Sequence, residues 1–292
     1  MPDRSAGRRP VSAPLRVEAP AKLNLDLRVV GRREDGFHEL DSTFVLLELA
    51  DRLLLMPGSS GLRVEDLALG PAVPLDGSNL AWRGLEAGLD GSTHLACLAL
   101  EKRIPVAAGL GGGSSDAAAA WRLGRSWRGR AERPSPGELL ELAAIGADVP
   151  FFAAGLAAAR VSGIGERVEP IEPLRREVVL VHPPFGLATG DVFAELRPDE
   201  WGSAPNDLEA PARRLRPELD DVAARVRAAG IEPRMTGAGS TFYALVDDAE
   251  RADAAAATLV RHGLHITRTR TRIDAARIEP LDDPTDEDQE DR

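Results

Sequence analysis

The run from Pro105 to Ala120, Pro-Val-Ala-Ala-Gly-Leu-Gly-Gly-Gly-Ser-Ser-Asp-Ala-Ala-Ala-Ala, constrains this chain more than any other. Gly109, Gly111, Gly112 and Gly113 remove side chains where a backbone must turn tightly or approach a ligand closely. Ser114, Ser115 and Asp116 are helix-capping types, and the alanines behind them have the highest helix propensity. A helix is therefore expected over Asp116 to Trp127. A glycine loop feeding a helix N-terminus leaves amide N–H groups unpaired at the positive end of the helix dipole. Such a terminus binds phosphate.

Other loops of similar composition fit less well. A Walker A loop needs Gly-Lys-Ser/Thr after the glycines, and none follows. Gly109-Leu-Gly111 resembles the start of a dinucleotide fingerprint, but Ser114 stands where its last glycine belongs, well into the chain rather than near its start. A flexible linker would not run directly into a strong helix former.

At 292 residues the chain is long enough for two domains. Hydrophobic residues at 43% and charged residues at 28% are ordinary for a soluble globular protein. The net charge of -11 is uneven: residues 281–292 hold seven acids and one arginine, a net of -6 that leaves -5 for the rest. That tail reads as disordered and solvating, and the moderately acidic body argues against nucleic acid as a partner. Cys97 is the single cysteine, which excludes a disulfide framework and a cysteine metal cluster and fits a buried residue in a reducing compartment. No apolar run approaches a membrane span, and residues 1–14 have arginines without the apolar core of a secretory signal. They read as a loose arm on a cytoplasmic protein.

Leu15 to Val30 alternates: Leu23, Leu25, Leu27 and Val29 face a core, with Lys22, Asn24, Asp26 and Arg28 opposite. On periodicity alone, Lys22 is a solvated strand lysine. The turn Gly31 to Gly36 leads to a second strand, Ser42 to Leu49, and Asn79 caps a helix to Leu89. Leu95 to Ile104 is a strand entering the glycine loop. Ser135-Pro136-Gly137-Glu138 is a capping box for a helix ending near Gly146. Asp148 follows that helix C-terminus, where the dipole disfavours an acid, and Val149 before Pro150 favours extended backbone. Beyond it, Val178 to Val181 reads as a buried strand, 206–217 as a polar connector with a possible cap, and Leu219 to Ala229 as a helix. Met235 to Thr241 is a second small-residue loop entering the strand Phe242 to Val246. Ala249 to His262 is a helix, and Ile266 to Ile273 a strand with an arginine face.

Pro20-Ala-Lys22-Leu-Asn24-Leu, Asp35-Gly-Phe37-His38-Glu-Leu40, the Pro105–Ala120 loop, Gly146-Ala-Asp148-Val-Pro150 and Thr236-Gly-Ala-Gly-Ser240 occur in the order found in the GHMP small-molecule kinases. The chain resembles that superfamily over roughly residues 15 to 275. Within it, the pattern looks like the branch that phosphorylates a hydroxyl of a cytidine-diphosphate-linked methylerythritol, giving the 2-phosphate, on the non-mevalonate route to isoprenoid precursors. The resemblance implies an α+β fold of two domains with mixed or antiparallel sheets and packed helices. Residues 15–170 would form the ATP-binding unit and 171–280 the substrate-binding unit, flanked by the arm and the acidic tail.

The same resemblance implies roles residue by residue. Asp148 matches the catalytic aspartate and Lys22 the lysine beside it, with Asn24 on the substrate side. Pro105 and the stretch Ala108, Gly109, Leu110, Gly111, Gly112, Gly113, Ser114 and Ser115 match the ATP phosphate loop; Asn79 and Lys102 match positions near the nucleoside. Phe37, His38, Thr189 and Phe193 match the cytidine-diphosphate pocket, with Phe37 where tyrosine is more usual. ATP and Mg²⁺ are the implied cofactors, and Ser115 is a candidate magnesium contact. A kinase for homoserine, mevalonate or a sugar has no need of stacking rings at Phe37 and Phe193, and a nucleotide-binding module without turnover has no use for a Lys22–Asp148 pair.

Overall fold

The computed structural model describes residues 13–58, 60–94 and 96–281. Apart from residues 13, 14 and 281, the expected arm and acidic tail lie outside the described residues. Strands β1 (Leu15–Arg32) and β2 (His38–Pro57) form a long antiparallel hairpin, closed by a turn in which Gly36 takes a left-handed φ of 91°. β2 is much longer than the expected Ser42 to Leu49. Asp51, beyond the expected end, is buried inside the strand and paired with Lys102.

β3 (Gly61–Asp66) is followed by α1 (Leu80–Gly88), whose N-cap Asn79 accepts from the Ala81 amide at 2.9 Å. β4 (Ala96–Lys102) enters the glycine loop, and α2 (Gly112–Trp127) leaves it. α2 begins at Gly112 rather than Asp116. Ser114, Ser115 and Asp116 lie inside its first turns, and Gly111, in the left-handed region, occupies the N-cap with no side-chain cap bond. The capping box of α3 (Pro136–Ala143) is formed by Ser135 and Glu138. Val149 and Pro150 are helical, in the short α4 (Val149–Ala153), not extended: proline is tolerated in a first helical turn because its missing N–H has no intrahelical partner there.

The remaining elements are β5 (Ala158–Gly163), β6 (Arg167–Pro170), β7 (Glu177–His182), α5 (Thr189–Glu195), α6 (Glu209–Leu215), α7 (Glu218–Ala228), β8 (Arg234–Met235), β9 (Phe242–Val246), α8 (Ala249–Arg261), β10 (His265–Arg270) and β11 (Glu279–Pro280). A seven-stranded mixed sheet has the order β11-β1-β2-β4-β3. β5 pairs with the N-terminal half of β2, and β6 with β5. A four-stranded antiparallel sheet has the order β10-β7-β9-β8. The first sheet takes its strands from residues 15–170 and from β11; the second takes its strands from 177–270.

β1 departs from simple alternation. Register shifts between Pro20 and Lys22, Asn24 and Asp26, and Val29 and Gly31 rotate its faces. Leu15, Val17 and Ala19 join the core under α1 and α2, Leu23 a central core with Leu110 and Tyr243, and Leu27 and Val29 the core of the second sheet. Between Ala19 and Asn24 both faces are buried, so Lys22 is not a solvated lysine; it is 3% exposed. No helix among the described residues is long and apolar enough to cross a membrane.

Candidate active site

The two glycine loops meet backbone to backbone. Gly109 has a φ of 76°, and a Cβ there would lie 2.3 Å from the Thr236 carbonyl oxygen, so this position excludes any side chain. The Thr241 amide donates to the Ala108 carbonyl at 3.3 Å, and the Lys22 amide to the Leu110 carbonyl at 3.0 Å. The loops and β1 therefore hold one another. Asn206, in the stretch expected to be a polar connector with a possible cap, precedes the helix α6 and donates from Nδ2 to the carbonyls of Met235 and Gly237, fixing the second loop.

A cavity of 520 Å³ opens between these parts. It is lined by Asn79, Lys102, Pro105 and the loop Ala108 to Ser114, by Lys22, Asn24 and Asp148, and by Thr189 and Phe193. The structure thus brings together most of the residues picked out from sequence. Ser115 is the exception on the loop. It is 1% exposed, its Oγ has no partner, and it lines a separate small void with Glu18 and Phe152.

The amides of Gly112, Gly113 and Ser114 occupy the first turn of α2, where helix geometry provides no acceptor and no side chain caps the terminus. Facing them, the Lys22 ammonium lies 3.3 Å from Asp148 Oδ2, donates to Asn24 Oδ1 at 2.5 Å, and sits 4.7 Å over the Phe44 ring. Asn24 is itself fixed, donating from Nδ2 to Ser42 Oγ at 2.9 Å and from its amide to Thr236 Oγ1 at 3.0 Å. Asp148 stands at the N-cap position of α4, yet its side chain caps nothing, so its carboxylate, 27% exposed, remains free toward the cavity. The dipole objection to an acid here disappears, because Asp148 begins a helix as well as following one.

Beneath the loop, Lys102 is buried between Asp51 and Asp116. Burial works against its ammonium, but the charges of Asp116 and Asp51 outweigh it and hold the pKa above the usual lysine value. Burial pushes the Asp116 carboxyl up to about 8, against the pull of Lys102 and with the help of the Asp51 charge. Asp116 reads from sequence as a cap, because nothing local shows that β2 and β4 supply its partners.

His38 stacks on Phe193 with ring centroids 5.2 Å apart and meets Trp201 edge-on at 6.0 Å. Phe37 is 61% exposed, and neither it nor His38 lines the cavity. Trp201 has no counterpart among the sequence candidates. It follows a short helical turn, and its indole Nε1 is buried without a partner.

Fold and cavity define a GHMP kinase. The family description "GHMP kinases N terminal domain" matches residues 79–156, and "GHMP kinases C terminal" matches 192–264. A Dinoroseobacter shibae protein named 4-diphosphocytidyl-2-C-methyl-D-erythritol kinase is 40% identical over 284 residues, covering 88% of this chain and 94% of its own. A Thermus thermophilus protein of the same name is 39% identical, over 82% and 91%. A crystal structure of 4-(cytidine 5'-diphospho)-2C-methyl-D-erythritol kinase superposes with a TM-score of 0.71 at 35% identity, covering 88% of this chain and 98% of that one. Homoserine kinase from Cytophaga hutchinsonii shares the fold alone, at 15% identity and a TM-score of 0.64. This chain belongs to the 4-diphosphocytidyl-2-C-methyl-D-erythritol kinase family.

Proposed function

We propose that this chain transfers the γ-phosphoryl group of ATP to a hydroxyl of 4-diphosphocytidyl-2-C-methyl-D-erythritol, giving the 2-phosphate used in non-mevalonate isoprenoid synthesis. One observation carries the reading: the first turn of α2 with its open amides, the Lys22–Asp148 pair and Phe193 all line one cavity.

Phosphoryl transfer needs in-line positioning and charge neutralisation more than covalent help. The amides of Gly112, Gly113 and Ser114 hold the phosphates, with Asn79 and Lys102 toward the nucleoside. Asp148 orients the acceptor hydroxyl and takes its proton as the oxygen attacks the γ-phosphorus; the bond to the β–γ bridging oxygen breaks, and its electron pair leaves with ADP. Lys22, 3.3 Å from Asp148 Oδ2, offsets charge on the transferring group. Mg²⁺, when bound with the nucleotide, neutralises phosphate charge. Asp148 and Ser114, both lining the cavity, would be its candidate protein contacts beside the nucleotide phosphates. For cytosine to lie on the Phe193 face, the His38 ring must move off it, and Phe37 is free to close from outside.

An ATP-consumption assay across homoserine, mevalonate, a hexose and the cytidine-linked methylerythritol tests the reading. Turnover is expected with the last alone. Preferential use of any other would leave only the superfamily standing, and ATP binding without turnover on any alcohol would favour the binding module.

A further inference from the structure

The Asp51–Lys102–Asp116 cluster sets two carboxylates against one ammonium in a site where all three side chains are at most 4% exposed. Asp51 alone would balance the Lys102 charge. It bonds the ammonium through Oδ2, and its Oδ1 accepts from the Arg103 amide at 2.5 Å and the Ile104 amide at 2.8 Å. Asp116 adds a second contact, Lys102 Nζ to Oδ2 at 2.9 Å, and leaves Oδ1 buried with no hydrogen-bond partner. A buried carboxyl group with an oxygen left unpaired costs stability, and replacing it by an apolar group of similar size is often neutral or stabilising. A fold that needed only an anchored lysine would not carry it.

The geometry of the loop supplies a reason. Lysine has three N–H donors, and the carboxylates take two. Lys102 is among the residues lining the cavity, and a Cβ on Gly112, in the first turn of α2, would stand 2.8 Å from its Nζ. Asp51 comes from β2 and Asp116 from α2, so the ammonium is pinned from the sheet and from the loop's own helix at once. Held by Asp51 alone, it could swing about a flexible stem.

We propose that Asp51 and Asp116 are positioning residues that clamp the Lys102 ammonium against Gly112, so that it meets bound ATP with its third N–H already aimed. The proposal rests on the reading of this cavity as the ATP site. Asp116, the member the fold does not otherwise need, is the informative one.

The test is Asp116→Leu in the full chain, which removes the acceptor at similar shape, measured by ATP titration, steady-state kinetics and a thermal melt. The expected result is ATP affinity weakened about tenfold, the worth of one charge-assisted hydrogen bond, with KM for the cytidine substrate and kcat within about twofold. The Tm should equal or exceed the wild type. In Asp116→Leu combined with Lys102→Met, ATP affinity should fall no further than in Lys102→Met alone, because the two act through one contact. Unchanged ATP affinity in Asp116→Leu overturns the proposal. So does a lowered Tm with both KM values and kcat moving together, the signature of a merely structural cluster. If Lys102→Met fails to fold, the single Leu variant still decides. A wild type that binds no ATP would remove the reading of the cavity and this inference with it, whereas equal binding by wild type and variant removes the inference alone.

Discussion

Lys22 shows how one side chain can be read wrongly by its neighbours in sequence and rightly by those in space. Alternation puts it on the solvent face, and register shifts in β1 turn it inward beside Asp148, Asn24 and Phe44. Asp148→Asn keeps the shape and loses the proton acceptor. Turnover should drop by about 10²- to 10⁴-fold with ATP affinity little changed, and Lys22→Ala should behave alike. Steady-state kinetics beside a nucleotide titration checks this; near-normal turnover in the Asn variant takes Asp148 out of the chemistry. His182 offers a prediction about stability. Its ring is buried between the hydroxyls of Thr241 and Thr267, at 3.2 and 3.0 Å, and burial, aided by His265, pushes its pKa down to about 4 from 6.5. The fold holds the neutral ring, so below pH 6.5 the unfolded chain binds the proton more readily. The contribution is fully present above that pH and falls by about 3 kcal/mol on reaching pH 4. Denaturant melts of wild type and His182→Gln between pH 4 and 7.5 should differ by a pH-dependent amount of this size; a constant difference would mean the folded ring titrates normally.

Among the elements, α1 and α2 cross so closely that glycine is required between them. A Cβ at Gly84 would lie 2.0 Å from the Ala117 carbonyl oxygen, and one at Gly88 would lie 2.4 Å from that of Trp121. Gly84→Ala should destabilise the protein by about 1–3 kcal/mol, as overpacking does. It should also weaken ATP binding, because α1 carries Asn79 at its cap. Urea denaturation with a nucleotide titration tests both, and an unchanged midpoint would mean the helices part without cost. The longer helices and the capping box of Ser135 and Glu138 were legible from local sequence, because their signals act within one or two turns. What was not legible depends on distant partners. The start of α2 is set by loop geometry rather than by Ser114 to Asp116, and Asp51 continues β2 because Lys102 neutralises it. The short α5 and α6 are too brief to form alone and are held by burying Val192 and Ala212 in the second core. Lys22, Asp148 and the glycines Gly109 to Gly113 are picked out by their resemblance to ordered family motifs, and the fold sets them around one cavity, whereas Asn206 and Trp201 show their place only once the chain is closed.

At the scale of the molecule, β1 feeds three cores and the cavity crosses from the first sheet's loops to the second unit's α5. The reacting end and the aromatic end are therefore built on different parts of the fold, and binding energy from one can be separated from chemistry at the other. Phe193 lies on α5, half-buried, with its ring face toward His38. If that face takes the cytosine, it anchors the substrate away from the hydroxyl that reacts. Stacking of a base on an aromatic ring is worth about 1–3 kcal/mol by alanine substitution, so Phe193→Ala should raise KM for the cytidine substrate between about fivefold and 150-fold. An anchor that binds ground and transition states alike leaves kcat much less affected. Methylerythritol phosphate, which lacks the cytidine, should be a very poor substrate for the wild type, and Phe193→Ala should barely change its use. That pairing separates an anchoring ring from a merely structural one: loss of Phe193 as a structural element would lower turnover of both substrates together, with a lower melting temperature. Kinetics on the two substrates, in wild type and variant, decide it, and equal losses on both would remove Phe193 from cytidine recognition.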